Sequence, residues 1–176
     1  MRSVSLALLV SSFMLGAGSA LAQAPASAPA AVPDQMAFDI PYGPPITADR
    51  AMPLVAAVVA EAKKSPRNWK LAVAVVDTNG DLVYFYKMEN TQIASVMIAQ
   101  YKARTAARYR RPTEAYFNAM QQPTGAYVAT LESNVAASPG GIPLIEDGKL
   151  IGAIGCSGAA GIQDAAACKV AAGMLK

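Results

Sequence analysis

Two pairs of apolar runs along the chain have the pattern of β-hairpins. Residues 71–76 and 82–88 are mostly aliphatic or aromatic, and they are joined around an Asn-Gly pair at 79–80, where both residue types tolerate a positive φ. The sequence IPLIEDGKLIGAIG repeats this arrangement around an Asp-Gly pair at 147–148. We therefore predict four strands in two hairpins.

Residues with helical spacing lie before the first hairpin and between the two hairpins. Apolar residues from Leu54 to Val59 predict a first helix. Pro53 lies past the first turn and is expected to kink this helix, so that its regular part begins near Met52. Residues 91–111 contain neither Gly nor Pro and predict one long helix.

Shorter elements complete the pattern. Thr113 is placed to cap a short helix in PTEAYFNAM, and residues 121–141 predict a mostly irregular connection. A closing helix is expected over residues 162–175, with Asp164 in its first turn, where the helix dipole favours an acidic side chain. Hairpins separated by helices predict an α/β fold of the α+β type: a single domain whose antiparallel sheet is built from two hairpins with flanking helices.

The beginning of the chain has the pattern of a secretory signal peptide over residues 1–22. Arg2 precedes a short apolar run, and small residues lead to a cleavage site after Ala22. Residues 23–40 are rich in Ala and Pro and predict a flexible leader, which leaves a domain over residues 41–176. We expect an exported protein, periplasmic or secreted, with no membrane span, because no later segment has about 18 uncharged apolar residues.

Charge and composition exclude several classes of function. Removing residues 1–22 removes one of the 15 basic residues, so 14 basic residues remain against 12 acidic ones. This net charge of +2 predicts no strong attraction to nucleic acid or membranes. The chain has no histidine, which excludes Ser-His and Cys-His catalysis and the commonest zinc and haem ligands. Neither Ser138 nor Ser157 stands in a Ser-x-x-Lys arrangement, which argues against a serine hydrolase. We assign no catalytic residue, and we favour a binding protein while leaving an enzyme open.

Glycines are concentrated near the C-terminus. Gly155, Gly158 and Gly161 form G-x-x-G-x-x-G rather than a dinucleotide fingerprint or a P-loop. Gly152 and Gly155 fall inside a predicted strand, which indicates that another backbone or a ligand approaches closely.

Four stretches resemble the GlcG/HbpS-type haem-binding family: VAVVDTNGDLV at 73–83, YKARTAA at 101–107, SPGGIPL at 138–144 and GKLIGAIGCSGAAGIQDAAA at 148–167. They stand in the family's order and spacing and cover nearly the whole of residues 47–176. The resemblance implies a helix-flanked antiparallel sheet, assembly into oligomers and a haem-related role. Members are associated with haem, with glycolate metabolism and with a fused domain in cobalamin enzymes.

This chain departs from the family at two points. Some relatives hold haem iron with histidine, and none is present here. At position 156, where the family usually has an aliphatic residue, this chain has a cysteine, Cys156. Export predicts a disulfide between Cys156 and Cys168, the only two cysteines, and the alternatives are two buried thiols or a thiolate ligand.

The long predicted helix carries a stripe that changes from apolar to basic. At 100° per residue, a sector of roughly 60° holds Ile93, Met97, Arg104, Arg108 and Arg111. One interpretation is a core-facing end that emerges into solvent. The other is a site for a flat apolar molecule with carboxylates, such as haem with its propionates. Candidate ligand-binding residues are Met97, Tyr101, Arg104, Thr105, Arg108, Arg111 and Thr113.

Three functional hypotheses follow. The first is an exported binding protein for haem or a related tetrapyrrole, whose iron could be held by Met88, Met97, Met120, Tyr101, Thr113 or Tyr116. The second is an accessory binding module for a small organic acid in a catabolic pathway, and the third is an enzyme that acts on such a compound. The family resemblance and the alanine-rich closing helix also predict a homo-oligomer.

Overall fold

A computed structural model describes residues 39–64, 66 and 68–175. The predicted signal peptide and all but the last two residues of the predicted leader lie outside the described residues. The elements are α1 (Ala48–Lys64), β1 (Ala72–Val76), β2 (Leu82–Lys87), α2 (Ser95–Arg108), α3 (Glu114–Met120), a 3₁₀ helix (Gly125–Thr130), β3 (Gly141–Glu146), β4 (Lys149–Ser157) and α4 (Gly161–Ala172).

The four strands form one antiparallel sheet in the order β2-β1-β4-β3. Each of the two hairpins supplies an edge strand and a central strand, and the central strands β1 and β4 pair with each other. Val73 of β1 lies between Tyr86 of β2 and Cys156 of β4. The predicted fold class, an antiparallel sheet of two hairpins with flanking helices, is confirmed.

Helices α1 and α4 cover one face of this sheet and form the larger core. Side chains of α1 such as Leu54 and Val58 pack with Val73 and Val75 of β1 and with Ile154 of β4. All five are buried, with exposed fractions of 3 % or less. This face therefore has the usual chemistry of a helix-covered sheet, in which aliphatic side chains fill the space between the layers.

Helix α2 covers the other face at unusually close range. Its inner side presents alanines, among them Ala99 and Ala103, to small residues of β1 and β4. A side chain on Gly155 would clash with the carbonyl oxygen of Ala99, and one on Gly141 would clash with that of Lys102. The strand glycines thus let the backbone of α2 contact the sheet. At Gly155 the close approach that the sequence predicts is made by the backbone of α2.

Several predicted boundaries shift. Helix α1 runs without interruption from Ala48 through Pro53, so the regular part does not begin near Met52. Helix α2 spans Ser95–Arg108 rather than the predicted 91–111, and a positive φ of 53° at Arg110 accounts for its earlier C-terminal end. The connection predicted to be mostly irregular contains the short 3₁₀ helix.

Among the described residues, no helix has the length and apolar character that a membrane crossing requires.

Candidate functional site

The outward side of α2 brings three of the predicted site residues together. Met97, Tyr101 and Arg104 line a pocket of about 100 Å³, which Leu82 of β2 also borders. Met97 is 48 % exposed and Leu82 is 50 % exposed. The pocket is too small for a porphyrin ring, but its rim combines apolar side chains with one guanidinium group. We call this outward surface, which Met97, Tyr101, Arg104 and Arg108 define, the α2 face.

Arg108, one helical turn beyond Arg104, borders a second and larger space. A cavity of about 460 Å³ lies between Arg108, Tyr42 and the β1–β2 turn at Thr78 and Asn79. The guanidinium of Arg108 donates to Oε2 of Glu132 at 2.7 Å. Arg108 is therefore already paired with a carboxylate, and that pair is half exposed to solvent.

The β1–β2 turn separates the two spaces and fixes the arginine side chains. Asp77 Oδ1 accepts hydrogen bonds from the backbone N–H groups of Asn79 and Asp81, at 2.8 and 3.0 Å, which holds the turn closed. The Nε of Arg104 donates to the carbonyl oxygen of Gly80 at 3.1 Å. A side chain at Gly80, whose φ is 92°, would contact the stems of Arg104 and Arg108. The turn thus rests on the arginine stems while leaving their ends at the surface.

Three further predicted ligand-binding residues, Thr105, Thr113 and Arg111, lie away from the α2 face, and of these only Arg111 was predicted to lie on the stripe. Thr105 is buried on the inner side of α2, where its hydroxyl accepts from the N–H of Ala136 at 3.0 Å. Thr113 is also buried; its hydroxyl donates to the carbonyl of Ser138 at 2.6 Å and accepts from the N–H of Gly141 at 2.9 Å. It therefore braces the start of β3 instead of capping α3 with its side chain.

Arg111 leaves the stripe because α2 ends at Arg108. Its guanidinium carbon lies 5.5 Å from the centre of the Tyr116 ring, and its Nε donates to the carbonyl of Tyr109 at 3.3 Å. Tyr116 is itself buried, and this burial raises its pKa to about 12. Arg111 and Tyr116 therefore belong to the packing of the α2–α3 corner.

The remaining candidates for iron ligation are distributed over the molecule. Met88 is buried, and its sulfur accepts from the N–H of Leu71 at 3.4 Å. Met120 is exposed at the end of α3, whereas Met97 and Tyr101 lie on the α2 face. Within the described ranges no group of three or more acidic or Cys side chains is arranged to hold a metal ion.

Sequence reasoning missed a buried ion pair between α2 and α4. Lys102 is 1 % exposed, and its Nζ lies 2.8 Å from Oδ2 of Asp164 and 3.1 Å from the carbonyl oxygen of Cys156. Oδ1 of Asp164 accepts from the N–H of Ala159 at 3.0 Å. Burial raises the pKa of Asp164, and the charge of Lys102 opposes that rise. Lys102 and Asp164 thus tie the helices of the two opposite layers together at the end of β4.

The sequence explained Asp164 by its place in the first turn of a helix, and it singled out no role for Lys102. Neither position reveals a partner 62 residues away. A signal did exist, because Lys102 falls on the alanine-lined side of α2 rather than with the arginines.

Cys156 and Cys168 form a disulfide beside this ion pair, with their Cα atoms 5.9 Å apart. Both residues are buried. The bond joins the end of β4 to α4, one turn after Asp164. Helix α4 is therefore fixed by a covalent bond and by an ion pair.

A small α/β domain with three layers and a partly basic helix face is the class that this fold and surface define. The HbpS-like family, described as haem degrading protein HbpS-like, matches residues 46–173. The chain belongs to this family, which confirms the resemblance seen in its motifs.

Individual proteins that are similar to this chain support its place in the family. Protein GlcG of Escherichia coli K12 is 36 % identical over 107 residues, which cover 61 % of this chain and 77 % of GlcG. The crystal structure of a double mutant of HbpS from Streptomyces reticuli has a TM-score of 0.68 and 25 % identity, and the match covers 84 % of this chain and 99 % of that one. A structure described as a PduOC:heme complex has a TM-score of 0.66 and 24 % identity, with coverage of 75 % and 96 %.

Proposed function

We propose that this protein is an exported binding protein for haem or a related tetrapyrrole, and that the α2 face is its ligand surface. The observation that carries the proposal is the order of groups along α2. Exposed Met97 lies two turns before Arg104, and Arg108 follows one turn later. The family description and the haem complex of the neighbouring PduOC structure support haem as the ligand.

The α2 face fits a ring that lies across it rather than one enclosed in a slot. The pocket beside Met97 holds about 100 Å³, well below the several hundred Å³ of a typical cofactor cavity. Leu82 and Met97 offer apolar contact on one side of the face. The arginines lie about 10 to 17 Å further along the helix axis, at a rise of about 1.5 Å per residue. An amphipathic disc could thus contact both halves at once.

Each residue of the face has a distinct role in this proposal. Met97 or Tyr101 would supply a sulfur or oxygen ligand to the iron, and Arg104 and Arg108 would pair with the propionates. Bound haem would supply an iron centre able to change its oxidation state. The protein would hold the ring at the surface, where a partner could reach it.

Glu132 controls how strongly Arg108 can contribute. Because Arg108 already pairs with Glu132 at 2.7 Å, a propionate would have to displace or share that contact. Arg104 has no such carboxylate partner among the described residues, and only its Nε is bonded, to the carbonyl of Gly80. We therefore assign the larger share of anion binding to Arg104.

A small organic acid is the second candidate ligand. The cavity of about 460 Å³ beside Arg108 is lined by polar groups of Tyr42, Thr78 and Asn79, and its size suits a small molecule better than a tetrapyrrole. In this case the protein would act as an accessory binding module, or as an enzyme for that acid, and would use Arg108 without iron.

A haemin titration followed by absorbance tests the proposal. Arg104→Ala should weaken binding about tenfold or more, because a charge-assisted hydrogen bond contributes about 1.5 to 3 kcal/mol. Arg108→Ala should have a smaller effect, and Lys64→Ala, which changes an exposed lysine on α1, should have none. Equal affinity in all variants would remove the α2 face from the site. Failure of the wild-type protein to bind haemin would favour the organic acid.

Export is tested separately. Mass spectrometry of the protein recovered from the periplasm or medium should show a chain that begins at Gln23, after cleavage at Ala22. Recovery of the full-length chain only from the cytoplasm would refute this part of the proposal.

A further inference from the structure

Helix α1 has a second apolar side in addition to the one that packs into the core. The core side consists of Ala51, Leu54, Val55, Val58 and Ala62. The second side, which we call the α1 face, consists of Met52, Pro53, Ala56, Val59 and Ala60, with Asp49 at one end and Lys63 at the other. Together with Tyr84 and Tyr86 of β2 it lines an open groove of about 710 Å³. Met52 is 47 % exposed and Tyr86 is 43 % exposed.

The chemistry of the α1 face is symmetric about Ala56. Asp49 and Lys63 are equally far from Ala56 along the chain, on opposite sides. A pair of apolar residues lies between Ala56 and each charge: Met52 with Pro53, and Val59 with Ala60. Turning the helix end over end about an axis through Ala56 therefore places apolar side chains on apolar side chains and the acid on the base.

The spacing of the face suits helix pairing. Its members recur with a seven-residue period, as in the seam of an antiparallel helix pair that crosses at about 20°. From Asp49 to Lys63 the face extends about 21 Å, at a rise of about 1.5 Å per residue. A small side chain at the centre, Ala56, allows the two helices to approach each other closely.

We infer that the α1 face is a two-fold interface with a second copy of this chain. In the dimer, α1 pairs antiparallel with its symmetry mate, Ala56 lies at the axis, and Asp49 lies beside Lys63 of the partner subunit. A two-fold interface must be self-complementary, and the face meets this condition in both charge and apolar pattern. This inference specifies the surface of the homo-oligomer that the family resemblance predicts, and it does not depend on haem binding.

Helix α4, the element whose alanines predicted oligomerisation, is less suited to that role. Ala165, Ala167 and Ala171 are buried within the chain, and Ala166 is exposed. The small side chains of α4 serve the packing against the sheet and α1. The α1 face, in contrast, is open to solvent at Met52, Pro53, Ala56 and Ala60, and only Val59 is half-buried against the core.

The end charges of α1 also have a local explanation, since an acid in the first turn and a base in the last turn both favour the helix dipole. The two explanations make opposite predictions for an exchange of the charges. If the dipole is their only role, the variant with both residues exchanged should have the least stable helix α1. If they meet across a two-fold axis, the exchange restores the pair that either single change destroys.

Cross-linking through Ala56→Cys tests the position of the axis. The Cα atoms of helices lie about 2.3 Å from the axis, so residues facing each other between helices 8 to 10 Å apart have Cα atoms about 3.4 to 5.4 Å apart, close to disulfide geometry. The native cysteines are joined to each other and buried, so they do not compete. Mild oxidation should convert Ala56→Cys into a covalent dimer on a non-reducing gel. Lys64→Cys, exposed on the same helix but outside the α1 face, should remain mostly single chains.

Charge exchange tests the pairing itself. In sedimentation, Asp49→Lys and Lys63→Asp should each raise the dissociation constant across this interface about tenfold, because two ion pairs become two repulsions. The double variant should return to within about threefold of the wild type. Lys64→Asp is the control for net charge, and helix content by circular dichroism must be unchanged.

Three results would overturn the inference. One is a cross-linking yield of Ala56→Cys no higher than that of Lys64→Cys. Another is a double variant with weaker association than either single variant. The third is a monomeric wild-type protein at micromolar concentration, which would also refute the proposed homo-oligomer. A wild-type oligomer without cross-links at residue 56 would refute only the α1 face.

Discussion

Replacing Lys102 by methionine should destabilise the protein more than any change at the surface. Methionine preserves most of the volume and apolar character of the lysine stem but removes the ammonium group. Asp164 would then keep a single hydrogen bond, from the N–H of Ala159, and the carbonyl of Cys156 would lose the Nζ donor at 3.1 Å. The variant therefore leaves a buried carboxylate without its counter-charge.

The size of the effect follows from the geometry. Two unit charges 2.8 Å apart interact by about 6 kcal/mol at an effective dielectric constant of about 20. The cost of burying both charges offsets most of this attraction, so the intact pair contributes little net stability. Removing one partner costs about 3 to 5 kcal/mol, because the burial cost of the other remains. A domain of this size has a total stability of about 5 to 15 kcal/mol.

Urea unfolding measures this difference. At about 1 to 3 kcal/mol per M of urea, the midpoint of Lys102→Met should fall by more than 1 M. The control is Lys169→Met, which removes a lysine that is 61 % exposed and lies 3.7 Å from Glu114; its midpoint should barely change. Replacing both buried partners, as Lys102→Met with Asp164→Leu, should recover most of the loss.

The pH dependence gives an independent check. Burial raises the pKa of Asp164 above its ordinary value, and without Lys102 the pKa should rise further. Because the native state then holds the proton more tightly than the unfolded state, this group favours folding below its unfolded pKa and loses that contribution as the pH rises through its native pKa. The deficit of Lys102→Met relative to the wild type should thus be smaller near pH 4 than at pH 7. A deficit below about 0.5 kcal/mol at pH 7, or one that grows on acidification, would refute this account.

Three further outcomes are expected. Alkylation of the unreduced, unfolded chain should label neither Cys156 nor Cys168, and reduction should lower the free energy of unfolding by about 3 kcal/mol, the chain-entropy value for so short a loop. Complete labelling would show that the bond is absent. The alkaline titration of tyrosinate absorbance should contain a phenol with a pKa of about 12 that disappears in Tyr116→Phe. Because the native pKa lies above the ordinary value near 10, stability should fall between about pH 10 and 12, and a titration identical in both proteins would contradict this. Gly155→Ala should destabilise the fold by about 1 to 3 kcal/mol in thermal or urea unfolding, since its methyl group would overlap the Ala99 carbonyl; a neutral effect would show that α2 can move away from the sheet.

The sequence predicted those features that depend on local pattern. Apolar runs joined by turn residues at positions 79–80 and 147–148 led to both hairpins, and the helices that separate the hairpins along the chain led to the prediction of one antiparallel sheet. The end of α2 was misplaced because a positive φ at Arg110, a non-glycine residue, has no clear signature. That error carried Arg111 into the predicted stripe.

Local sequence patterns did not predict the contacts between residues that are far apart along the chain. Thr105 gives no signal in a helical pattern and Thr113 suits a helix cap, and only the fold shows that they hold the loop at Ala136 and the start of β3. Asp164 had a sufficient local explanation in the helix dipole and Lys102 had no distinguishing pattern, so neither residue indicated a distant partner. The alternatives for Cys156 and Cys168 likewise depended on whether α4 packs back on β4, which is a tertiary question.

Because the backbone of α2 contacts the sheet, the two sides of this helix are under different constraints. The side of α2 with Ala99 and Ala103 has no freedom to vary in size, because a larger side chain would have to displace a strand. The opposite side carries Met97, Arg104 and Arg108 at positions where most substitutions cost little stability. Under the proposed function, ligand preference would therefore diverge through a few outward replacements while the domain folds as before, and α2 would be the element at which to engineer new specificities.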